Sequence, residues 1–469
     1  MPLPRPSPPP SRYWLAGVTG ALPAVLPPPA AADIVIVGAG ISGASVALGV
    51  ARRLAAKVAT AAPTSVLLLD ARDVAGGATG RNGGLMWPGL PDTWEALVAK
   101  YGVAVTKDLL RFDLDNCRAM EEAARDAPTD PALDPCMFKF AGGGINILNT
   151  QSEFDAWAKN IDDMRRGGCP DWGVSLWDSA ELAKHLPNVA NAVGAVHNTH
   201  AWRVRSGRLT LHLLRKAFAL AHDSGALSMA FSPRTAVERV EPPSAGTSGP
   251  VRLLTSQGAI AAKTVVYCTN AYTPSLFPEV DITPIKNQVV VTDRIKRIPF
   301  DFAIKSHSGY NYVSPREDSR IVVGGMRYLV DTYEVGNDDD ANLHPAVSAG
   351  LAEYVPTNLP ELEPAESREL GGSQTVGVAE EWAGIMGFTS SQMPLVGQIP
   401  DRPGELICAG FSGHGIARAC LCGKAVADMA LGIDAAAVDD PVSLPAPFNP
   451  AGRFNKPAAS ETAAFSSRM

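Results

Sequence analysis

The sequence contains no long hydrophobic run. Nowhere in its 469 residues does a stretch approach the roughly 20 consecutive apolar residues of a membrane-spanning helix. The apolar stretch at residues 13–26 is interrupted by Gly17, Gly20 and Pro23, and no lysine precedes it, which argues against a secretory signal peptide. We therefore expect neither a membrane partner nor a signal peptide.

Basic residues are not in excess either. Lys and Arg number 41 against 48 Asp and Glu, a formal net charge of −7, so there is no basic surface for a phosphate backbone. The seven cysteines are scattered without the paired spacing of a zinc site or a disulfide framework. The sequence thus predicts no nucleic-acid partner, no metal site, and thiols that are mostly buried in a reducing compartment.

The remaining composition is that of a folded globular protein. Hydrophobic residues make up 46% and charged residues 19% of the chain, near the averages for soluble domains. A chain of 469 residues exceeds the usual size of one domain, about 100 to 200 residues. We therefore expect two domains or one large interleaved pair.

Short apolar runs alternate with helical patterns along the chain. Residues 33–37 and 66–69 are typical of buried strands, and the Ala-rich segment 41–53 between them is typical of a helix, which together predict a βαβ unit. Residues 94–186 are expected to be mainly helical. Further strands are predicted at residues 235–240, 251–255, 263–268, 289–292, 312–313, 320–324 and 405–409, and further helices at residues 209–221 and from after 415 to about 431.

A glycine-rich turn connects the first predicted strand to the first helix. Gly38 permits a tight turn, Gly40 lets the backbone approach a pyrophosphate, and Gly43 permits close packing of the helix on the strand. The anion would lie at the N-terminus of the helix, which begins with Ile41 and Ser42. The location of this turn between a strand and a helix, more than its glycine spacing, predicts dinucleotide binding.

An acidic residue follows the second strand of the unit. The Asp70 carboxylate is placed to receive the ribose hydroxyls of a dinucleotide. It lies later after the turn than the usual spacing of about 20 residues, and a long loop at residues 55–65 accounts for the difference. The alternative is a glycine turn and a strand-end aspartate without a ligand.

A second glycine cluster follows at residues 76–84. Its five glycines in nine residues let several backbone N–H groups converge on one anion or ring edge. A surface loop is the alternative interpretation. A glycine-lined turn at residues 410–415 opens the last helix, so its N–H groups and the positive end of the helix dipole would face a ligand.

These motifs together resemble the D-amino-acid-oxidase-like superfamily of FAD-dependent amine oxidoreductases. Residues 78–84, Ala-Thr-Gly-Arg-Asn-Gly-Gly, are most similar to bacterial gamma-glutamylputrescine oxidases. Further matches follow in the same order as in the family, at residues 265–271, 282–288, 382–389, 394–397 and 410–415. The resemblance spans about residues 33–432.

The resemblance implies an α/β fold with two domains. A discontinuous Rossmann-like FAD-binding domain would comprise residues 33–115, 200–285 and 380–435, and a mixed-sheet α+β substrate domain would comprise residues 116–199 and 286–379. Residues 1–32 would form a proline-rich leader and residues 436–469 a C-terminal tail. The last three residues, Ser-Arg-Met at 467–469, resemble a variant of the peroxisomal Ser-Lys-Leu address; a plain polar tail on a cytoplasmic protein is the alternative.

The resemblance also implies which residues contact FAD. In addition to the first turn and Asp70, the expected cofactor contacts are Ala71, Arg72, Thr79, Arg81, Asn82, Gly83, Gly84, Val237, Thr269, Asn270, Gly410, Gly413, His414, Gly415 and Ile416. In the family, the residues from Gly413 to Ile416 face the flavin pyrimidine edge, where they stabilise negative charge on reduction. His414 is the one candidate catalytic residue; a structural histidine held by backbone partners is the alternative.

The sequence departs from the family at three places. Met386 stands where glycine and D-amino-acid oxidases carry an arginine for the substrate carboxylate, which disfavours ordinary α-amino acids. Gly384 stands near the place where sarcosine oxidases carry a cysteine bound to flavin, and no histidine lies near Arg81, so we expect non-covalent FAD. The strand at residues 320–325 lacks the lysine that those oxidases direct toward dioxygen, which leaves oxidase and dehydrogenase both open.

The expected activity is oxidation of a C–N bond in a primary or secondary amine. Hydride transfer to flavin N5 would give an imine, and O2 would be reduced to H2O2. The expected walls of the substrate pocket are Trp87, Tyr310, Tyr312, Trp382 and Met386, with plain core packing as the alternative for the aromatic residues. Three other functions stay open: a dehydrogenase or tailoring oxidase of a larger metabolite, a flavin-free binding protein, and an NAD-dependent dehydrogenase, although the turn at residues 410–415 favours FAD.

Overall fold

The computed structural model describes residues 11–56, 63–89, 93–125, 136–169, 172–186, 189, 191–243, 249–307, 309–365 and 375–454. These residues form seven α-helices and nineteen strands. The helices are α1 (Ile41–Ala55), α2 (Trp94–Ala124), α3 (Gln151–Arg166), α4 (Ser179–His185), α5 (Ser206–Ser224), α6 (Pro345–Asn358) and α7 (Ala419–Ala430). The strands are β1 (Ala31–Val37), β2 (Thr64–Leu69), β3 (Leu85–Met86), β4 (Met137–Lys139), β5 (Gly144–Leu148), β6 (Val174–Asp178), β7 (Gly194–Asn198), β8 (Trp202–Val204), β9 (Leu227–Ser232), β10 (Val237–Glu241), β11 (Val251–Thr255), β12 (Gly258–Tyr267), β13 (Thr283–Thr292), β14 (Ala303–Ser306), β15 (Asn311–Pro315), β16 (Ile321–Gly325), β17 (Val378–Phe388), β18 (Leu395–Gln398) and β19 (Glu405–Ala409).

The first sheet has a parallel core in the order β9-β2-β1-β12-β19. Its strands are apolar on both faces because both faces are covered. Ile36 belongs to the core that α1, α5 and α7 share, whereas Val35 faces a second core on the opposite side with Phe277. The predicted βαβ unit and the α/β class are confirmed.

The carboxyl ends of four parallel strands meet at one edge of this sheet. Because β1, β2, β12 and β19 run in the same direction, the residues that follow them are brought together in space. The four segments that follow are the glycine turn after residue 37, Asp70, the turn at residues 268–271, and the turn at residues 410–415. The fold therefore places all four sequence motifs at the edge where α/β sheets bind ligands.

The second sheet is mixed, in the order β17-β13-β16-β15-β14-β5-β7-β6. Its pairs are antiparallel except for β14 with β5. Helix α6 packs on one face, and the cavity described below lies on the other. A mixed α+β region is thus present as predicted.

Two sequence expectations differ from this arrangement. The segment at residues 94–186, expected to be mainly helical, also contains β4, β5 and β6. These short strands pair with β7, β8 and β14, which all lie outside that segment. Strand β17 overlaps the stretch 380–435 assigned to the FAD-binding domain, but it pairs along nearly its whole length with β13 of the mixed sheet.

The N-terminal segment packs into the core instead of forming a separate leader. Trp14, Leu15 and Val18 are buried. A Cβ on Gly80 would lie 2.8 Å from the Leu15 side chain, and a Cβ on Gly84 would lie 2.4 Å from the Trp14 ring. Residues 11–22 therefore support the second glycine cluster from behind.

None of the helices in the described part of the chain has the length and apolar character needed to cross a membrane. The tripeptide at residues 467–469 lies outside the described residues, so the peroxisomal address stays a prediction.

Candidate active site

A cavity of about 650 Å³ extends from the carboxyl edge of the parallel sheet to the face of the mixed sheet. Most of the predicted cofactor residues line it, and the exceptions are Gly43, Gly84 and Gly410. The predicted residues on its wall are Gly38, Gly40, Ile41, Ser42, Asp70, Ala71, Arg72, Thr79, Arg81, Asn82, Gly83, Val237, Thr269, Asn270, Gly413, His414, Gly415 and Ile416.

The first glycine turn forms a cradle that no side chain can enter. Gly38 has φ +114°, and a Cβ there would lie 2.6 Å from the Cys268 carbonyl oxygen. A Cβ on Gly40 would lie 2.9 Å from the Thr79 hydroxyl, and one on Gly43 would lie 1.8 Å from the Gly38 carbonyl oxygen. The turn therefore fits the pyrophosphate of a dinucleotide, with Gly43 serving the helix packing behind it.

Asp70 is held at the end of β2 by two backbone donors. The Ala39 N–H donates to one carboxylate oxygen at 2.7 Å, and the Arg72 N–H donates to the other at 2.7 Å. Burial raises the pKa of Asp70, and the two donors oppose that shift. The carboxylate is thus fixed beside the cradle, where the ribose of a dinucleotide would lie.

Arg72 and Arg81 share one buried carboxylate, that of Asp340. Arg72 donates to Asp340 at 2.6 and 2.9 Å, and Arg81 Nε lies 3.4 Å from it. Both guanidinium groups also donate to the Gly76 carbonyl oxygen, at 3.0 and 3.1 Å. Burial lowers the pKa of Arg81, although a guanidinium remains protonated. The two arginines therefore hold the second glycine cluster, and Asp340 is a positioning residue that sequence reasoning missed.

Asn270 joins the turn after β12 to the last glycine turn. Its side-chain oxygen accepts from the Gly410 N–H at 3.0 Å and from the Phe411 N–H at 3.3 Å. Gly410 has φ +75° and Gly413 has φ +81°, a backbone region that favours glycine. This local geometry positions the turn at residues 413–416 on the cavity wall.

His414 lies on this turn with its ring against the backbone. Its Nδ1 is 3.0 Å from the Ser412 carbonyl oxygen. Burial lowers its pKa to about 3, and the positive charges of Arg418 and Lys305 add to the effect. The imidazole is therefore neutral at ordinary pH. This contact agrees with the structural alternative, and a catalytic role for His414 stays a prediction.

Tyr312 and Lys305 lie on the mixed-sheet side of the cavity. A Cβ on Gly83 would lie 2.0 Å from the Tyr312 ring, so the ring packs directly on the second glycine cluster. The Tyr312 hydroxyl accepts from Asn287 Nδ2 at 3.2 Å, and burial raises its pKa. Lys305 Nζ lies 4.3 Å from the Trp87 ring centroid, and burial lowers its pKa to about 8.

Arg327 reaches the same cavity from the short 3₁₀ segment Arg327–Leu329. Its guanidinium lies 4.9 Å from the Tyr310 ring centroid and 5.5 Å from that of Phe388. Burial lowers its pKa. The buried Tyr310 hydroxyl has no hydrogen-bond partner in the described chain, so it is available to a ligand.

The predicted pocket walls are corrected at one residue. Trp87, Tyr310, Tyr312 and Met386 line the cavity. Trp382 is buried away from it: its ring stacks on Trp14 with centroids 5.9 Å apart, and its indole N–H donates to the Arg81 carbonyl oxygen at 3.1 Å. Trp382 lies on the same face of β17 as Gly384 and Met386 but further along the strand, where its ring packs on Trp14 and supports the second glycine cluster.

The comparisons with known proteins agree with this geometry. The family model described as "DAO: FAD dependent oxidoreductase" matches residues 33–429. Gamma-glutamylputrescine oxidoreductase of Escherichia coli is 25% identical over 433 residues, which cover 90% of this chain and 88% of that protein. Glycine oxidase of Geobacillus kaustophilus is 23% identical over 407 residues, which cover 85% of this chain and 92% of that protein.

Two solved structures share the fold. The crystal structure of glycine oxidase from Geobacillus kaustophilus matches with a TM-score of 0.67 at 20% identity and covers 90% of this chain and 98% of that one. The structure of L-proline dehydrogenase from P. horikoshii matches with a TM-score of 0.69 at 19% identity and covers 92% and 100%. At these identities the likeness shows the fold.

Proposed function

The chain belongs to the DAO family of FAD-dependent oxidoreductases, and on this premise we propose that it oxidises the C–N bond of a primary or secondary amine that also carries a carboxylate. The product is an imine, which water hydrolyses to a carbonyl compound. We propose O2 as the electron acceptor, with H2O2 as its product. A dehydrogenase that uses another acceptor is the second candidate.

The observation that carries this proposal is the distribution of charge along the cavity. Among the described residues that line it, the single carboxylate is Asp70, beside the glycine cradle. Arg72 and Arg81 pair with Asp340 near the cradle, and Lys305 and Arg327 line the mixed-sheet end. Two partly buried cations there favour an anionic group on the substrate, and a guanidinium suits a carboxylate.

This finding revises one inference from the sequence. Met386 stands where related oxidases carry an arginine, an observation that disfavours ordinary α-amino acids. Arg327 and Lys305 bring positive charge to the cavity from other elements. Carboxylate-bearing amines are therefore supported by the geometry of this chain.

The residues on the wall fit FAD in one orientation. The cradle at Gly38 and Gly40 would hold the pyrophosphate, Asp70 the ribose, and the turn at residues 413–416 the flavin edge. When bound, FAD supplies the acceptor for the hydride that leaves the carbon next to the amine nitrogen. N–H groups of the turn at the reacting end stabilise negative charge that develops there.

The chain's own residues have to orient the substrate and exclude water. Arg327, Lys305 and the free hydroxyl of Tyr310 bind the carboxylate, while Trp87 and Tyr312 confine the amine. Correct placement of the reacting carbon is worth several orders of magnitude in rate. The positive charges of Lys305 and Arg327 disfavour an ammonium group at this end, so the amine reacts in its neutral form.

The test is a panel of matched amines offered to the purified holoenzyme in air. Each pair shares its C–N bond but has or lacks a carboxylate, such as sarcosine with dimethylamine and N-butylglycine with N-methylbutylamine. We expect carbonyl product and H2O2 from carboxylate-bearing members, at kcat/KM about 100-fold above their partners. Product without H2O2 would favour the dehydrogenase. Equal rates within every pair would contradict the carboxylate assignment.

The Arg327→Leu variant tests whether this residue binds the substrate carboxylate. Replacement of Arg327 by Leu is expected to raise KM for the carboxylate-bearing amines by about 100-fold, which corresponds to the loss of about 3 kcal/mol from a charged hydrogen bond. Arg320→Leu is the matched control. Arg320 immediately precedes β16, whereas Arg327 follows it. The Arg320 side chain does not line the cavity and donates to the Thr292 carbonyl oxygen.

A further inference from the structure

The cavity continues along the mixed sheet, well beyond the cations at its reacting end. Lys305 on β14 is in register with Tyr312 on β15 and with Asn146 on β5. Asn146 is in turn opposite Val196 on β7. Register partners project from the same face of a sheet, and all four side chains line the cavity. They form a continuous floor.

The floor reaches the edge strand of the sheet. Val174 on β6 also lines the cavity, and β6 is four strands away from β15, which carries Tyr312. At about 4.8 Å between strands, the floor is about 19 Å wide. A substrate as small as glycine would leave most of it uncovered.

Helix α3 and the segment before β6 cover the far end. Trp157 and Met164 of α3, and Trp172, contribute an aromatic and apolar wall. We call the part of the cavity bounded by these three residues with Asn146, Val174 and Val196 the distal compartment. Within the described residues no charged side chain belongs to this set, so it suits a neutral group.

Two polar atoms of the distal compartment are buried without a hydrogen-bond partner in the described residues. They are the side-chain oxygen of Asn146, an acceptor, and the indole N–H of Trp172, a donor. Buried polar atoms nearly always find a partner, and leaving them without one is costly. An amide group offers an N–H to the first and a carbonyl oxygen to the second.

We propose that the distal compartment binds the tail of an elongated substrate, a neutral apolar chain that carries an amide. This inference rests on the proposed function, because it places the amine and carboxylate at the Lys305 end of the same floor. The apolar walls account for the chain, and the two buried polar atoms account for the amide. The substrate is therefore an amino acid or N-substituted amino acid with a long side arm.

Binding of carboxylates that lack an amine tests the compartment without requiring turnover. The holoenzyme is titrated calorimetrically with acetate, with adipic acid monoamide, and with 6-methylheptanoate, whose isopropyl end has the shape of the amide. We expect the monoamide to bind at least tenfold more tightly than acetate and about tenfold more tightly than 6-methylheptanoate. Equal affinity for all three would overturn the inference.

Asn146→Leu locates the amide contact. It should abolish the preference for the monoamide over 6-methylheptanoate and leave acetate binding unchanged. Asn149→Leu, at an exposed position just after the same strand, is the control and should keep the wild-type preference. If Asn146→Leu also keeps it, the amide contact is contradicted. The comparison of the three ligands on the unmodified protein stands even if a variant fails to fold.

The outcomes separate this inference from the proposed function. Tight monoamide binding without oxidation of any amine would leave the compartment in place and contradict amine oxidation. Oxidation of short amines, combined with equal affinity for acetate and the monoamide, would support the proposed function and contradict the compartment.

Discussion

At the scale of single residues, burial changes the charge behaviour of Lys305. Its pKa is lowered to about 8 because the ammonium is desolvated, and no described carboxylate contributes to the shift. The side chain is therefore charged below about pH 8 and loses its proton as the pH rises through that value. An anion bound there is held less tightly in the alkaline range.

We expect the affinity of the holoenzyme for acetate to fall above about pH 8, by up to roughly tenfold per pH unit. Calorimetric titration at a series of pH values measures this. In Lys305→Met the affinity should be lower at neutral pH and should lose this step, because Arg327 stays charged throughout. An unchanged step in the variant would show that another group titrates.

The glycines of the first turn are needed because a side chain at these positions would clash with neighbouring atoms. In Gly43→Ala the new methyl group would lie 1.8 Å from the Gly38 carbonyl oxygen, which forces the helix away from the strand. We expect FAD to bind at least about tenfold more weakly, measured by titration of the apoprotein with FAD. Gly249→Ala, on an exposed loop with no contact closer than 3.7 Å, should bind FAD like the wild type.

At the scale of elements, Asp340 connects the loop after β16 to the second glycine cluster. Asp340→Asn would leave Arg72 and Arg81 without their shared carboxylate. Breaking a buried ion pair by removing one partner costs about 3 to 5 kcal/mol. We expect a lower free energy of unfolding in urea and weaker FAD binding, whereas the exposed Asp331→Asn should change neither. Wild-type stability in Asp340→Asn would contradict this role.

The N-terminal segment is a second element that supports the cofactor loop. Trp14 is 1% exposed and contacts both Gly84 and Trp382. Trp14→Ala should lower the free energy of unfolding by about 3 to 5 kcal/mol and weaken FAD retention on gel filtration. Val25→Ala, at an exposed position just after this segment, is the control. A variant that keeps both stability and FAD would show that the segment is dispensable.

Local features of these elements were predictable from the sequence, whereas the pairing of distant strands was not. The turn at Gly38 and the strand before it depend on residues adjacent in the chain, so apolar runs and glycines were sufficient. The place of β17 in the mixed sheet depends on its register with β13, which no local pattern specifies. Lys305 and Arg327 were missed for the same reason: their approach to the cavity is set by the packing of distant elements.

At the scale of the whole molecule, the active site is assembled from segments that span most of the chain. The cradle comes from residues near 38, the turn at residues 413–416 from the C-terminal part, and Arg327 from between them. Such a site forms only in the complete fold. The family assignment fixes FAD as the cofactor, while the identity of the amine depends on the side chains at the mixed-sheet end of the cavity, which lie outside the glycine turns.

Non-covalent attachment of FAD is a prediction that concerns the whole site. Gly384, near the place where sarcosine oxidases carry a cysteine bound to flavin, packs against Arg81, and a Cβ on Gly384 would lie 2.7 Å from the arginine side chain. We expect acid precipitation of the purified protein to release all the flavin into the supernatant, measured by its absorption spectrum. Flavin that stays in the pellet would contradict non-covalent binding.

Amine oxidation is tested most simply by the flavin spectrum of the holoenzyme, recorded without oxygen, before and after addition of carboxylate-bearing amines. We expect the flavin bands to bleach with at least one such amine and to return on admission of air. If dithionite bleaches the flavin bands but no amine does so, amine oxidation is contradicted.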